Sequence, residues 1–272
     1  MFTIEGDNNV HVIVAALEVL HDFCTQLGPA SVDQKLESIT ETMIILLKNE
    51  TQAQDIAFEG EEEVHGELFE STTLLLDALI KCCGEGFLPY FDKLYPELKR
   101  FTTSDTAEDD VAEIIGCFAQ AIKYMPSAAE IYGLDMLEIC FNALEYGDEY
   151  VNRNMTFCVG LIVEHGKQKI GAHCKTIMEK LRVIYETATL PDTKDNAIAA
   201  IGRMVYTHPS EVPLNMVRLE VNYSGLTIFT SRLFLLSLMK CHLRVILKKK
   251  ELWLKCWSSC SKQVKTSEVK YS

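Results

Sequence analysis

NMTFCVGLIVEHG (154–166) and NAIAAIGRMVYTHP (196–209) are two copies of one helical phrase. Asn154 falls on Asn196 and Gly160 on Gly202, each 42 residues apart. EIIGCFAQAIKYMP (113–126) fits one period earlier, to within one residue, and TLLLDALIKCCG (73–84) one period before that. A period in the forties with two helical patterns per unit points to a HEAT or armadillo solenoid. Such units stack on their neighbours and offer a long surface to another macromolecule instead of enclosing a pocket.

Working outward, apolar residues recur at helical spacing almost everywhere, and strict alternation is nearly absent. The pattern predicts helices over 9–27, 33–49, 62–84, 87–102, 107–125, 130–146, 149–165, 168–187 and 192–207. Gly28-Pro29 ends the first. Ser104, Asp105 and Thr106 offer caps for the fifth, with Asp109 placed as a capping-box partner of Thr106. Pro191-Asp192 opens the last. The expected fold is all-α: a right-handed superhelical HEAT-repeat solenoid of four and a half helix pairs, with an atypical C-terminal tail. Ala78, Ala119, Gly160 and Gly202 fall near the middles of first helices, where small side chains let the next unit approach. One unit is longer: Cys24 and Cys83 lie 59 residues apart, and the excess coincides with the acidic segment around Glu59, Glu61, Glu62 and Glu63.

The chain divides at Met216. Residues 1–216 carry 15 Lys/Arg against 36 Asp/Glu, a net of −21. Residues 217–272 carry 11 against 3, a net of +8. The body repels nucleic acid and favours a basic partner. The end fits neither the period nor the charge of the body, and we read 217–272 as a non-repeat basic tail, intron-derived or disordered. The ten cysteines are scattered, and Cys24, Cys117, Cys140 and Cys158 sit inside apolar helical patterns, as buried reduced thiols would. No signal peptide is evident. No stretch of the body is expected to cross a membrane; 225–247 comes nearest but is interrupted by Arg232, Lys240 and Arg244.

YGDEYVNRNMTFCVGLIVEHG (146–166), PDTKDNAIAAIGRMVYTHPS (191–210) and EGEEEVHGELFESTTLLLDAL (59–79) resemble repeats of the importin-β (karyopherin-β) family of nuclear transport receptors. In that family an acidic turn precedes a basic residue, an Asn and a small-residue helix, as at Arg153-Asn154 and Lys194-Asp195-Asn196. The likeness is to the importin-four-like subgroup, near its C-terminal region. It implies carriage of protein cargo through nuclear pores, Phe-Gly nucleoporins and Ran-GTP as partners, and a place in both cytoplasm and nucleus. The N-terminal repeats that bind Ran-GTP in the family have no counterpart in this sequence. The alternative function is a HEAT scaffold for a phosphatase, translation or chromatin complex.

In such solenoids second helices line the concave face, which makes Lys93, Glu97, Glu138, Lys175 and Glu179 candidate cargo contacts. Glu59, Glu61, Glu62 and Glu63 join them, since clustered carboxylates attract a basic cargo. Carboxylates also suit a helix start. Asn154 and Asn196 are expected to form a structural ladder, each bonding loop carbonyls of the neighbouring unit. His165, His173 and His208 are placed at helix ends or exposed faces, with no acid–base partner. Cys82-Cys83 is a poor joint metal site, because adjacent helical side chains diverge by about 100°. No P-loop, G-x-S-x-G or H-E-x-x-H motif is present. The expectation is a non-enzyme with no catalytic residue, cofactor or metal, binding neither nucleic acid nor membrane.

Overall fold

The computed structural model describes residues 9–51, 54 and 62–212, with the backbone alone at 62–65, at 145 and in two short strands beyond. Ten helices fill the described body. They are α1 (Val10–Leu27), α2 (Leu36–Leu47), α3 (Glu62–Cys83), α4 (Leu88–Lys99), α5 (Glu108–Tyr124), α6 (Ser127–Ala143), α7 (Glu149–His165), α8 (Lys167–Gly171), α9 (Cys174–Thr187) and α10 (Pro191–Thr207). Beyond the body, β1 (Glu220–Tyr223) and β2 (Leu226–Phe229) pair antiparallel, with Glu220 opposite Phe229. The remainder of the predicted tail lies outside the described residues, as do Glu59 and Glu61.

The fold is an all-α, HEAT-like stack of helix pairs. First helices lie side by side: α1 on α3, α3 on α5, α5 on α7 and α7 on α10. Each second helix packs on its own unit or the next, as α2 does on α3 and α4, and α6 on α5, α7 and α8. Hydrogen bonds between successive units join residues 36 to 45 apart, from Lys99–Asp135 through Thr73–Glu113 and Tyr95–Asp135 to His208–Val163. At the first joint the corresponding bond, Lys93 to Glu37, spans 56 residues. The surplus is the insertion that the sequence placed before α3.

The spine owes its spacing to small residues. Ala78, Ala119, Gly160 and Gly202 are all buried. A Cβ on Gly160 would come within 3.2 Å of Ala200 Cβ and 3.3 Å of Ala200 Cα in the next unit. On either side the core is continuous: Leu75, Leu79, Ile114, Phe118, Val159, Ile162 and Ile201 are almost wholly enclosed. Each such side chain contributes about 1.5–3 kcal/mol by burial. Gly28 ends α1 with φ +77, a backbone that L side chains rarely adopt, and its N–H returns to Cys24 O at 3.2 Å.

Local details depart from the sequence reading in three places. The predicted helix 168–187 is two, broken at Ala172-His173. Gly171 is a weak helix former, and it sits where a Cβ would approach Glu211 Cγ to 3.3 Å. The cap of α5 is Ala107, with no side-chain bond, so Thr106 and Asp109 form no capping box. The Thr106 hydroxyl is instead paired with Thr103 at 3.2 Å, and Glu108, Asp109 and Asp110 complement the helix dipole directly. His208 ends α10, as expected, and is buried there, with its Nε2 3.1 Å from Val163 O. Lastly, α1 is long and apolar enough to cross a membrane by length and composition. Part of its apolarity serves this fold, because Ile13, Val14, Leu17 and Cys24 are buried where α1 packs on α3, while Val12, Val19, Phe23 and Leu27 stand exposed.

Gly160→Leu should lower stability by about 1–3 kcal/mol, the usual cost of overpacking a close helix contact. Chemical denaturation would measure it; an unchanged midpoint would show that the α7–α10 contact has slack.

Candidate protein-interaction surface

Two different faces result from this stacking. On the first-helix face, side chains bond across the joints. Asn154 Nδ2 donates to Ala112 O at 2.8 Å, and Asn196 Nδ2 to Arg153 O at 3.1 Å. Both acceptors belong to the preceding first helix, not to a loop. The acceptors lie in the first two turns of α5 and α7, where the close approach of the spine brings them within reach. Capping also crosses units. The Glu85 carboxylate accepts from Ser127 N at 3.1 Å, at the start of α6. Glu149 accepts from Thr189 N and, at 2.7 Å, from its hydroxyl, just before α10. Those bonds hold the Glu149 carboxyl below its ordinary range.

The α3–α5 joint is the least expected part of this face. Asp77, unremarked in the sequence reading, is largely buried, and its Oδ1 has no hydrogen-bond partner. Burial lifts its carboxyl to about 6, opposed by a bond from the Cys117 thiol; Glu113 raises it further and Lys123 lowers it. Burial also raises Glu113, against a bond from Thr73, with Glu70 and Asp110 adding repulsion. This joint is packed tightly by Leu75, Leu76, Ile114 and Phe118 and carries charge at a cost.

On the second-helix face, polar tips make the ties. Tyr95 of α4 donates to Asp135 of α6 at 2.7 Å, and Tyr132 of α6 donates to Asp92 of α4. The two bonds run in opposite directions from D-x-x-Y on one helix to Y-x-x-D on the other. Lys99 Nζ adds a 2.5 Å bond to Asp135. Burial alone would raise the Asp135 carboxyl, but the bonds from Lys99 and Tyr95 overcome it and hold it low. The rings of Tyr95 and Tyr132 lie 4.2 Å apart by centroid. At the next joint Lys180 of α9 sits 4.9 Å over the Phe141 ring of α6.

The predicted contact residues divide accordingly. Lys93 is exposed but bound to Glu37 of α2. Glu97 is a correction: its side chain is only 16% exposed and pairs with Lys48 at 3.7 Å and Arg100 at 2.8 Å. It ties α4 to the preceding unit and is not a free contact. Glu138 of α6 and Lys175 and Glu179 of α9 are exposed. Glu62 and Glu63 open α3, with only their backbone described. The sequence reading passed over Ile131 and Leu134, which are 55% and 42% exposed on α6. With Glu138 they fall at i, i+3 and i+7, one helical stripe. Val183 on α9 is 58% exposed, and Glu179, Arg182 and Glu186 surround it in sequence. Among the described residues no cluster of His, Cys, Asp and Glu has the geometry of a metal site.

No protein-family model matches this chain. Importin-4 of Homo sapiens is similar to it, with 22% identity over 222 residues. The match covers 78% of this chain and 20% of the human protein, so the chain spans about a fifth of that relative's length. The likeness is at the level of importin-β-like HEAT proteins and does not select a subgroup.

Asp77→Asn tests the charged joint. An acid whose folded value is raised destabilises the fold above that value, and the penalty disappears as pH falls below the unfolded one. From about 6 folded and 3.8 unfolded, the variant should gain about 2–3 kcal/mol above pH 7 and nothing near pH 4. Unfolding curves from pH 4 to 8 would show it; a constant difference across that range would refute a charged Asp77. Tyr95→Phe should cost about 1–2 kcal/mol by leaving Asp135 with one donor fewer, measurable by denaturation against Tyr95→Phe/Asp135→Asn.

Proposed function

We propose that this chain is a binding segment of a nuclear transport receptor of the importin-β kind, which holds a basic protein cargo on its second-helix face. The observation that carries the reading is the exposed stripe Ile131–Leu134–Glu138 on α6, together with the exposed Glu179 and Val183 on α9, the next second helix. Exposed apolar side chains interspersed with carboxylates along these helices suit a partner that presents a basic segment around an apolar anchor. The excess of carboxylates over residues 1–216 points the same way, because it draws basic partners in and repels nucleic acid. The likeness to importin-4 supports transport over other uses of a HEAT stack, and a Ran-controlled cycle belongs to the same proposal. Lys175 would act as a selector against cargo with misplaced positive charge. Glu59, Glu61, Glu62 and Glu63 form a second acidic contact in this reading.

Affinity for a basic importin cargo, such as a histone or ribosomal-protein tail, should fall about tenfold in Glu138→Lys/Glu179→Lys. Binding should also weaken steeply with added salt, as screening predicts. Ile131→Asp should weaken it without changing the salt slope. Fluorescence anisotropy with labelled tails reads all three. Equal affinity in the charge-reversed variant would sink the cargo site. Cargo retained by the receptor whatever the Ran nucleotide would sink transport and leave the scaffold reading.

A further inference from the structure

The cargo reading leaves the basic end of the chain unused. Residues 217–272 carry a net charge of +8 against −21 for residues 1–216. In RVILKKKELWLKCW (244–257), Lys248, Lys249 and Lys250 form a basic run, and Lys250 precedes Trp253 by three residues and Trp257 by seven. A basic run beside large apolar anchors is the chemistry proposed for a partner of the second-helix face. That face exposes Ile131, Leu134 and Val183 with the carboxylates of Glu138 and Glu179. Lys175 and the Arg182–Glu186 pair stand on the same helix as Glu179, so Glu138 is the carboxylate farthest from competing cations in sequence.

The described body ends beside this face. Val212 is buried, and Glu211 lies against Gly171, the last residue of α8, where an added Cβ would come within 3.3 Å of Glu211 Cγ. Two residues before Gly171, Lys169 Nζ donates to Glu130 O of α6 at 2.8 Å, and Lys167 pairs with the Glu130 carboxylate at 2.5 Å. Glu130 immediately precedes Ile131. By residue dimensions the body therefore ends within about 20 Å of the stripe. The 21 residues of 213–219 and 230–243, outside the β1–β2 hairpin, span up to about 70 Å when extended. Residues 244–257 can thus reach α6 and α9 with chain to spare. The other exposed apolar face, Val12, Val19, Phe23 and Leu27 of α1, lies at the opposite end of the stack, beyond α3 and α5.

We propose that residues 244–257 dock in cis on the second-helix face as a built-in competitor of cargo. Trp253 and Trp257 cover Ile131, Leu134 and Val183, and the lysine run meets Glu138 and Glu179. The proposal rests on reading that face as the site of a basic partner with an apolar anchor. Tethering makes a modest affinity sufficient. At an effective concentration of roughly 1 mM, a segment with a dissociation constant near 0.1 mM fills its site about nine-tenths of the time. Free cargo must displace it, and the apparent affinity of cargo falls about tenfold. Salt weakens the ionic part of this contact and leaves the apolar part. The segment need not have been selected for the role; its charges and indoles suffice.

Both tryptophans of the chain lie in this segment, so tryptophan emission of the full chain reports on it alone. In the wild type, emission should lie to the blue of an indole in water. It should move red in Glu138→Lys/Glu179→Lys, in Ile131→Asp and in Lys248→Glu/Lys249→Glu/Lys250→Glu, with helical circular dichroism as the control for folding. The triple lysine variant should also bind a labelled histone tail about tenfold more tightly than the wild type. Emission indifferent to the face variants would overturn the docking, as would a red shift in Val19→Asp/Phe23→Asp on α1 in their place. A blue shift that disappears on dilution would move the segment to a second copy and overturn docking in cis. If the histone tail binds the wild type and the triple variant equally, competition fails while the cargo reading stands. If emission responds to the face variants and no histone tail binds either protein, the docking stands and the cargo reading fails.

Discussion

The close approach of consecutive first helices is the constraint on which the rest of this structure depends. Gly160 leaves no room for a side chain beside Ala200, and Ala78 and Ala119 hold the equivalent buried places in earlier units. Helices that close pack shut out water from whatever polar groups lie between them. Those groups must then find partners across the joint, because an unpaired buried donor or acceptor is costly. Asn154, Asn196, Thr73 and Thr207 supply such bonds. The period in the sequence is thus the trace of one physical requirement met repeatedly: a small residue for contact, and a polar one to satisfy what the contact desolvates.

Second helices follow another rule. Tyr–Asp bonds and Lys99 tie α4 to α6 at the tips of long side chains. Ties of that kind leave the middle of the face open, and Ile131 and Leu134 stand exposed in it. The difference between a tight spine and a polar-tied opposite face is the reason for proposing the binding surface on the second helices. Asp77 shows what the spine tolerates: a buried carboxylate held in the α3–α5 joint by surrounding packing, with only a thiol donating to it. The energy of that joint therefore changes with protonation, while the Tyr95–Asp135 tie depends on Asp135 staying ionised.

Much of this was legible in the chain. Helix boundaries follow from apolar spacing, Gly28 and Pro191, and the long second unit follows from counting residues between Cys24 and Cys83. Burial of Cys24, Cys117, Cys140 and Cys158 follows from their places in apolar stripes. Less legible was anything that depends on a second element. Glu97 reads as an exposed second-helix acid but is enclosed by Lys48 and Arg100. His208 reads as a helix-end residue and proves to be buried against Val163 O. Thr106 reads as a cap and bonds elsewhere. For Glu97 and His208 the deciding partners, Lys48 and Val163, lie in the preceding unit, where helical periodicity carries no information, whereas Thr106 bonds within its own loop.

The sequence by itself determined the all-α class, the period of the units and the sign of the surface. Those depend on local spacing, small residues and a sum of charges, all of which are written along one dimension. Only the tertiary structure decided which face remains open and which acids are committed to ties. It also brought Asp77 to Cys117 and Tyr95 to Asp135. These pairings depend on the rotation of each helix about its axis, and that rotation is set by packing against the neighbouring units.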